Sequence, residues 1–298
     1  EICQEAGVPE GVVNVVPGGD EAGAALVAHP GVPKISLTGE VETGRKVMAA
    51  AAAHLKRVTL ELGGKSPNIV FEDAPLEQAV EGALFGVFLN AGQVCQAGTR
   101  ILVQRSIYGE FVERLAARAA QLRIGPGSDP ETDVGPVISA EQLEKVRRYV
   151  KRGQEEGARL VAGGRRPAGL ERGYFHELTV FADVQPAMGI AREEIFGPVA
   201  AVIPFHGEPD AVRLANETIY GLAAGVWTKD VKRALRMARA VRAGTVWLNS
   251  YQLLSPTVPF GGFKASGVGR QLGRQAVEAF LETKTVIADL TEPGIRYF

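Results

Sequence analysis

Cysteine is nearly missing from this sequence: its 298 residues contain two, Cys3 and Cys95. Two cysteines cannot build a disulfide framework, so a reducing, cytoplasmic setting is expected. Neither sign of charge dominates, with 33 basic and 34 acidic residues and a formal net charge of -1. Without a basic excess to neutralise phosphates, no nucleic-acid partner is expected. Histidine is scarce, and His29, His54, His176 and His206 show no ligand spacing, so no metal is expected. Long apolar runs are missing too. The two longest charge-free stretches, 82–99 and 243–263, are interrupted by Asn90, Gln93 and Gln96 and by Asn249, Gln252, Pro256 and Pro259. Neither reads as a membrane span, and both suit a buried core segment or the wall of a dry pocket. The opening Glu-Ile-Cys-Gln-Glu has no Met, no basic start and no apolar signal core. The expectation is a chain that begins inside a longer protein or after processing.

What is present is a globular composition, 46% hydrophobic and 22% charged. The length suits about two domains. Glycine is the outlier at 36 residues, roughly 12% against an average of about 7%. Glycine pairs at 18–19, 63–64, 163–164 and 261–262 point to tight turns or to backbone that a ligand approaches closely. Short β-branched runs alternate with helical stripes. Strands are expected at 12–16, 34–37, 58–62, 68–71, 101–104, 199–205, 224–227, 245–248 and 285–288. Helices are expected at 20–28, 40–54, 76–89, 108–122, 141–156, 209–216, 231–241 and 271–281. Such alternation means an α/β fold with a mainly parallel sheet. The stretches 125–136 and 163–173 read as long irregular loops.

Several short segments carry chemistry. Thr38-Gly39-Glu40-Val41-Glu42-Thr43-Gly44 follows a strand and opens a helix, where free N–H groups can receive a phosphate. A P-loop would need Lys and then Ser or Thr after the second glycine. Arg45 and Lys46 stand there instead, and the acidic first turn also suits the helix dipole with no ligand at all. Leu60-Glu61-Leu62-Gly63-Gly64-Lys65 ends a strand in glycines, and Glu61 between two leucines can be partly desolvated. That raises a carboxyl pKa toward general-base usefulness, although a surface or salt-bridged Glu fits as well. Cys95 follows Asn90-Ala91-Gly92-Gln93-Val94 in a polar, glycine-flanked loop. It is either a buried structural cysteine or an accessible nucleophile whose surroundings must favour the thiolate. Glu193-Glu194-Ile195-Phe196-Gly197-Pro198 sets carboxylates beside an aromatic ring, suited to a sugar diol and a flat heterocycle, or to a plain surface turn.

Together these segments resemble the aldehyde dehydrogenase superfamily from about residue 1 to 290. The resemblance is carried in the family's order by Leu-Thr-Gly-x4-Gly (37–44), Leu-Glu-Leu-Gly-Gly-Lys-Ser-Pro (60–67), Asn-x-Gly-Gln-x-Cys (90–95), Glu-Glu-Ile-Phe-Gly-Pro (193–198) and Pro-Phe-Gly-Gly-x-Lys-x-Ser-Gly (259–267). It implies that Cys95 is the nucleophile and Glu61 the general base. It also implies that Glu194 binds the nicotinamide ribose, Phe196 lies against the nicotinamide, and Gly39 and the helix start after it lie near the pyrophosphate. Leu62 joins the cofactor contacts, and Phe260 and Leu254 line the substrate tunnel. The implied cofactor is NAD or NADP, the substrate a small-molecule aldehyde, and the assembly a homodimer or homotetramer in which strand 285–288 joins another subunit's sheet. The family more often has Ser where this chain has Glu40, and Phe where it has Leu37. The chain resembles the family's C-terminal portion, divided into part of a Rossmann-like dinucleotide-binding domain (1–62), a parallel-sheet catalytic domain (63–265) and a C-terminal helix with an oligomerisation strand (266–298). A cofactor-free binding or assembly module and a CoA-acylating relative are the alternatives. Glu61 argues against the latter, which needs no water-activating base.

Overall fold

The computed structural model describes residues 1–290. The chain runs through α1 (Ile2–Glu5), α2 (Asp20–Ala28), β1 (Lys34–Thr38), α3 (Val41–Ala52), β2 (Arg57–Glu61), β3 (Pro67–Val70), α4 (Leu76–Phe88), β4 (Arg100–Gln104), α5 (Tyr108–Gln121) and α6 (Ala140–Glu155). It continues through β5 (Arg159–Ala162), β6 (Thr179–Ala182), α7 (Gly189–Arg192), β7 (Val199–Phe205), α8 (Glu208–Asn216), β8 (Ala223–Trp227), α9 (Val231–Ala240), β9 (Thr245–Leu248), β10 (Gly267–Val268) and α10 (Gly273–Glu278).

The strands form two sheets. The larger has seven strands in the order β5-β6-β7-β4-β3-β8-β9, all parallel except β5 against β6. Strands β3 and β8 are buried along their whole length and β4 along all but its last residue, the signature of a parallel sheet covered on both faces. One apolar layer packs α4 and α5 on the sheet through Val80, Leu84, Val87, Phe111 and Leu115. The other packs α6, α8 and α9 through Val146, Val150, Leu214 and Met237. Caps set two helix starts on this frame. Ser139 Oγ accepts from Gln142 N at 3.1 Å before α6, and Asp230 accepts from the N–H groups of Lys232 and Arg233 before α9.

The smaller sheet has the order β1-β2-β10. β1 and β2 pair in parallel with Thr38 opposite Glu61, and β10 returns antiparallel with Gly267 opposite Glu61. Glu61 is therefore flanked on both sides at the C-terminal end of this sheet. The Gly63–Gly64 link leads from there into the N-terminal end of β3, so this turn joins the ends of the two sheets.

Two expectations need correction. Residues 12–16 are not a strand: Val15 is 87% exposed and, among the described residues, no neighbouring strand pairs with this segment. A β-branched run specifies extended backbone, but a ladder needs a second strand beside it. Residues 285–288 pair with no described strand of this chain, and Ile287 is 90% exposed; the strand expected there has its partner in another subunit. The helix expected at 271–281 contracts to Gly273–Glu278. Strands β5, β6 and β10 come unannounced; β10 is only two residues long and forms against the edge of β2.

Candidate active site

Glu61 is the last residue of β2 and is 4% exposed, and neither carboxylate oxygen has a hydrogen-bond partner. Burial pushes its pKa up from 4.5 to about 7, against the lowering pull of Arg270. Its surroundings are held by the motif at 259–267. Ser266 Oγ donates to Gly63 O at 2.7 Å and accepts from Gly221 N at 3.0 Å. Ser266 O accepts the N–H of Leu62 at 2.9 Å. A Cβ on Gly261 would come within 2.7 Å of Glu61 Oε1, so that glycine gives the carboxylate its room.

Cys95 sits on a strained loop just after α4. Asn90 and Ala91 lie in the left-handed region, at φ 51° and 54°, a conformation that persists only when its surroundings enforce it. Here the enforcement is a reciprocal clasp. Asn90 Nδ2 donates to Gln93 O and Gln93 Nε2 donates to Asn90 O, each at 3.1 Å. Gly92 has φ 72°, and a Cβ there would strike Gly197 O at 2.2 Å. The Cys95 thiol lies 3.4 Å from Gln96 Oε1. Burial pushes its pKa above 9.0, and the charges of Glu194 and Glu61 push it further, against the backbone N–H groups of Gln96 and of Cys95 itself. In this chain the surroundings therefore hold the Cys95 pKa up rather than down. Those same two N–H groups are placed to receive negative charge that develops at or beside the sulfur.

Glu194 closes the third side. Its Oε1 accepts from Gly64 N at 3.2 Å, and a Cβ on Gly63 would lie 1.9 Å from its Oε2. A Cβ on Gly64 would meet Cys95 O at 2.5 Å. The glycine pair thus lets one carboxylate and the nucleophile's own backbone approach a single turn. Burial raises the Glu194 pKa, and the Gly64 N–H, Lys145 and Lys65 draw it back. Phe196, half-buried at φ 57°, is fixed by Gln142 Nε2, which donates to Ile195 O and Phe196 O at 2.9 and 2.7 Å.

Gly39 extends the β1–β2 ladder by donating its N–H to Glu61 O at 3.1 Å, so that N–H is not free for a phosphate. The first turn of α3 after it has no side-chain cap, which leaves N–H groups open to an anion. Leu62 turns its side chain into the small sheet's core with Ile35, Val47 and Leu60. Phe260 pairs through its backbone with Gln271, two hydrogen bonds of 2.7 Å, next to the Gly261 that faces Glu61. Leu254 is 54% exposed, on a loop anchored beside the nucleophile. Tyr251 makes that anchor: its hydroxyl donates to Gln96 O at 2.9 Å, and its ring fills a slot that side chains on Gly86, Gly98 or Gly225 would block.

The structure brings Glu61, Cys95 and Glu194 to one place, with Gly39, Phe196 and Phe260 at its edges. Sequence reasoning missed the supports. Arg100, 1% exposed, donates to the carbonyls of Lys65, Leu214 and Ala215 at 3.3, 2.6 and 2.9 Å. Lys65 is buried without a hydrogen-bond partner, and burial brings its pKa down to about 7. No local pattern announces a buried cation whose partners come from distant loops. Among the described residues no group of three or more His, Cys, Asp or Glu could hold a metal ion, and no helix is long and apolar enough to cross a membrane.

The chain is thus a two-sheet α/β protein with a cysteine, a buried carboxylate (Glu61) and a half-buried one (Glu194) around the Gly63–Gly64 turn that links the sheets. Residues 1–286 match the aldehyde dehydrogenase family. A betaine aldehyde dehydrogenase of Brucella melitensis is 50% identical over 97% of this chain and 60% of its own length. The putative aldehyde dehydrogenase DhaS of Bacillus subtilis is 48% identical over 98% of this chain and 59% of its own. Among solved structures, the NAD+ complex of aldehyde dehydrogenase from Bacillus cereus matches with TM-score 0.94 and 47% identity, covering 97% of this chain and 58% of that one. Betaine aldehyde dehydrogenase from Staphylococcus aureus in complex with NAD+ matches with TM-score 0.96 and 41% identity, covering 100% and 60%. The chain belongs to the aldehyde dehydrogenase family. It spans about three fifths of the length of the curated relatives it matches.

Proposed function

We propose that the whole protein oxidises an aldehyde to a carboxylic acid with NAD+ or NADP+, and that this chain supplies its nucleophile, its general base and part of its cofactor seat. The observation that carries the reading is the convergence of Cys95, Glu61 and Glu194 on the Gly63–Gly64 turn. Relatives solved with NAD+ support the cofactor. The uncapped start of α3 suits a diphosphate, Glu194 a ribose diol, and Phe196 a flat ring; the oxidised nicotinamide, when bound, supplies the hydride acceptor.

The chain's own residues then act in order. Cys95 releases its proton to solvent and its sulfur adds to the carbonyl carbon, whose C=O π bond breaks to give a tetrahedral thiohemiacetal oxyanion. The N–H groups of Gln96 and Cys95 stabilise the negative charge. Loss of hydride leaves a thioester on the sulfur. Glu61, with a pKa of about 7, is half ionised near neutrality and takes a proton from the water that releases the acid, a step worth about 10²–10⁴-fold. Such a base speaks for water rather than CoA as acyl acceptor. The charge-free stretch 82–99 around Cys95 suits a site that limits water before that point.

Four further points belong to the same proposal. Leu254 and Phe260 face the substrate, and the chain divides at residues 62 and 265. The protein works in the cytoplasm, where two unpaired cysteines persist. It forms a homodimer or homotetramer through the unpaired extended segment around Val286 and Ile287, since an edge of this kind invites pairing.

The test uses the full-length enzyme. Glu61→Gln keeps size and removes basicity, so it should give a burst of reduced cofactor of about one per active site, then slow turnover. Glu194→Gln should instead slow the hydride step and show a deuterium effect on a labelled aldehyde. A Glu61→Gln enzyme with no burst and a large deuterium effect would refute the assignment.

A further inference from the structure

We propose that Glu40 and Lys145 form an ionic latch across the diphosphate seat, and that a dinucleotide binds by opening it. This rests on the cofactor reading above and concerns which residue tunes affinity at that seat.

Glu40 is the N-cap of α3. Its backbone is extended, at φ −74° and ψ 155°, and its carbonyl accepts from Gly44 N at 2.9 Å as a cap should. Its side chain does not behave as a cap. Short N-cap side chains fold back onto the first-turn N–H groups, but the Glu40 carboxylate makes no such bond. It reaches across to α6 instead, where Lys145 Nζ lies 3.8 Å from Oε1. The first-turn N–H groups therefore stay open, and a negative charge stands at their rim. Lys145 also faces the other part of the seat: its charge and that of Glu40 both act on the Glu194 carboxylate, in opposite directions. One lysine thus serves both the α3 start and the ribose-binding carboxylate.

A diphosphate arriving at α3 meets favourable backbone N–H groups and an unfavourable carboxylate beside them. Lys145 is the cation it can draw away from Glu40. Until it does, the carboxylate occupies the cation that the phosphate would use, so the pair opposes binding without blocking the site. Glu42 makes a useful contrast. It lies in the same first turn, but its carboxylate is paired with Arg45 one turn along the same helix, at 3.2 Å.

The experiment measures NAD+ affinity of the full-length enzyme by tryptophan fluorescence and calorimetry, with inorganic pyrophosphate as a competing probe. Glu40→Gln removes the charge at constant size. It should tighten NAD+ and pyrophosphate about two- to fivefold, the range for one charge at an exposed helix start. Glu42→Gln should change either by less than Glu40→Gln does, because the Glu42 carboxylate is held along the helix by Arg45 and not across to α6. Lys145→Met should weaken both ligands. Glu40 and Glu42 are exposed, so their glutamine variants should melt close to wild type; Lys145 is partly buried, and its variant's affinity is read below its own melting transition. If Glu40→Gln leaves NAD+ affinity unchanged or weakens it, or if Glu42→Gln matches its gain, the latch is overturned and the cofactor reading stands. If the wild-type enzyme binds no NAD+, the cofactor reading fails and takes the latch with it.

Discussion

Replacing Glu61 with glutamine should stabilise the fold at alkaline pH, because the site holds a carboxylate where folding disfavours one. Glu61 is 4% exposed with both oxygens unpartnered, and burial lifts its pKa from 4.5 to about 7. Between those values the folded chain binds the proton more tightly than the unfolded chain. Its stability is fully present below about pH 4.5, falls as pH rises, and levels off above about pH 7. At full strength the difference is about 3 kcal/mol. Roughly a quarter of that has already been lost at about pH 5. Glutamine does not titrate and leaves a similar pair of buried polar atoms, so its advantage should grow by about 2 kcal/mol between pH 5 and pH 8.5. Urea unfolding of both proteins at the two pH values reads this directly, and thermal melts should separate by about 4–8 °C more at the higher pH. An advantage that does not change with pH, or a variant less stable than wild type at pH 8.5, would refute the reasoning. The same substitution removes the proposed base, so stability gained and turnover lost should appear together.

In the full-length enzyme the rate of acyl release should rise through about pH 7 and lose that limb in Glu61→Gln, as seen in stopped-flow traces. Alkylation of Cys95 by iodoacetamide should still be accelerating at pH 9, because burial and two carboxylates hold the thiol's pKa up; mass spectrometry of the Cys95 peptide checks this, and a plateau below pH 8 contradicts it. Gly64→Ala drives a Cβ to 2.5 Å from the backbone oxygen of Cys95, so it should cost about 1–3 kcal/mol in urea unfolding and slow Cys95 chemistry as well. Ser266→Ala leaves Gly63 O and Gly221 N without their buried partner, which should cost about 1–3 kcal/mol. Arg100→Met strands three buried carbonyls and should cost about 3 kcal/mol or more by the same measurement.

The sequence by itself determined the α/β class, nearly every long helix and the central strands, because each carries its own period. The stripe at Leu76, Val80, Leu84 and Val87 and the apolar run 199–205 are local signals that tertiary structure had no cause to override. The motif glycines were legible as well, since Gly63 and Gly64 stand where a side chain would collide with Glu194 or Cys95. Chain neighbours, however, do not determine partners. The run at 12–16 has strand composition and, among the described residues, no strand beside it. β10 exists in two residues only because β2 offers it an edge. Charge states were likewise decided by the assembled fold. The peptide around Cys95 leaves a structural cysteine and a nucleophile both open, and the direction of its pKa is set by burial and by two carboxylates from other segments. The Glu61 pKa, the unpartnered Lys65 amine and the Arg100 clamp all arise from desolvation by residues far away in the chain. Desolvation is a property of enclosure, and enclosure exists only once both sheets have closed on the turn between them.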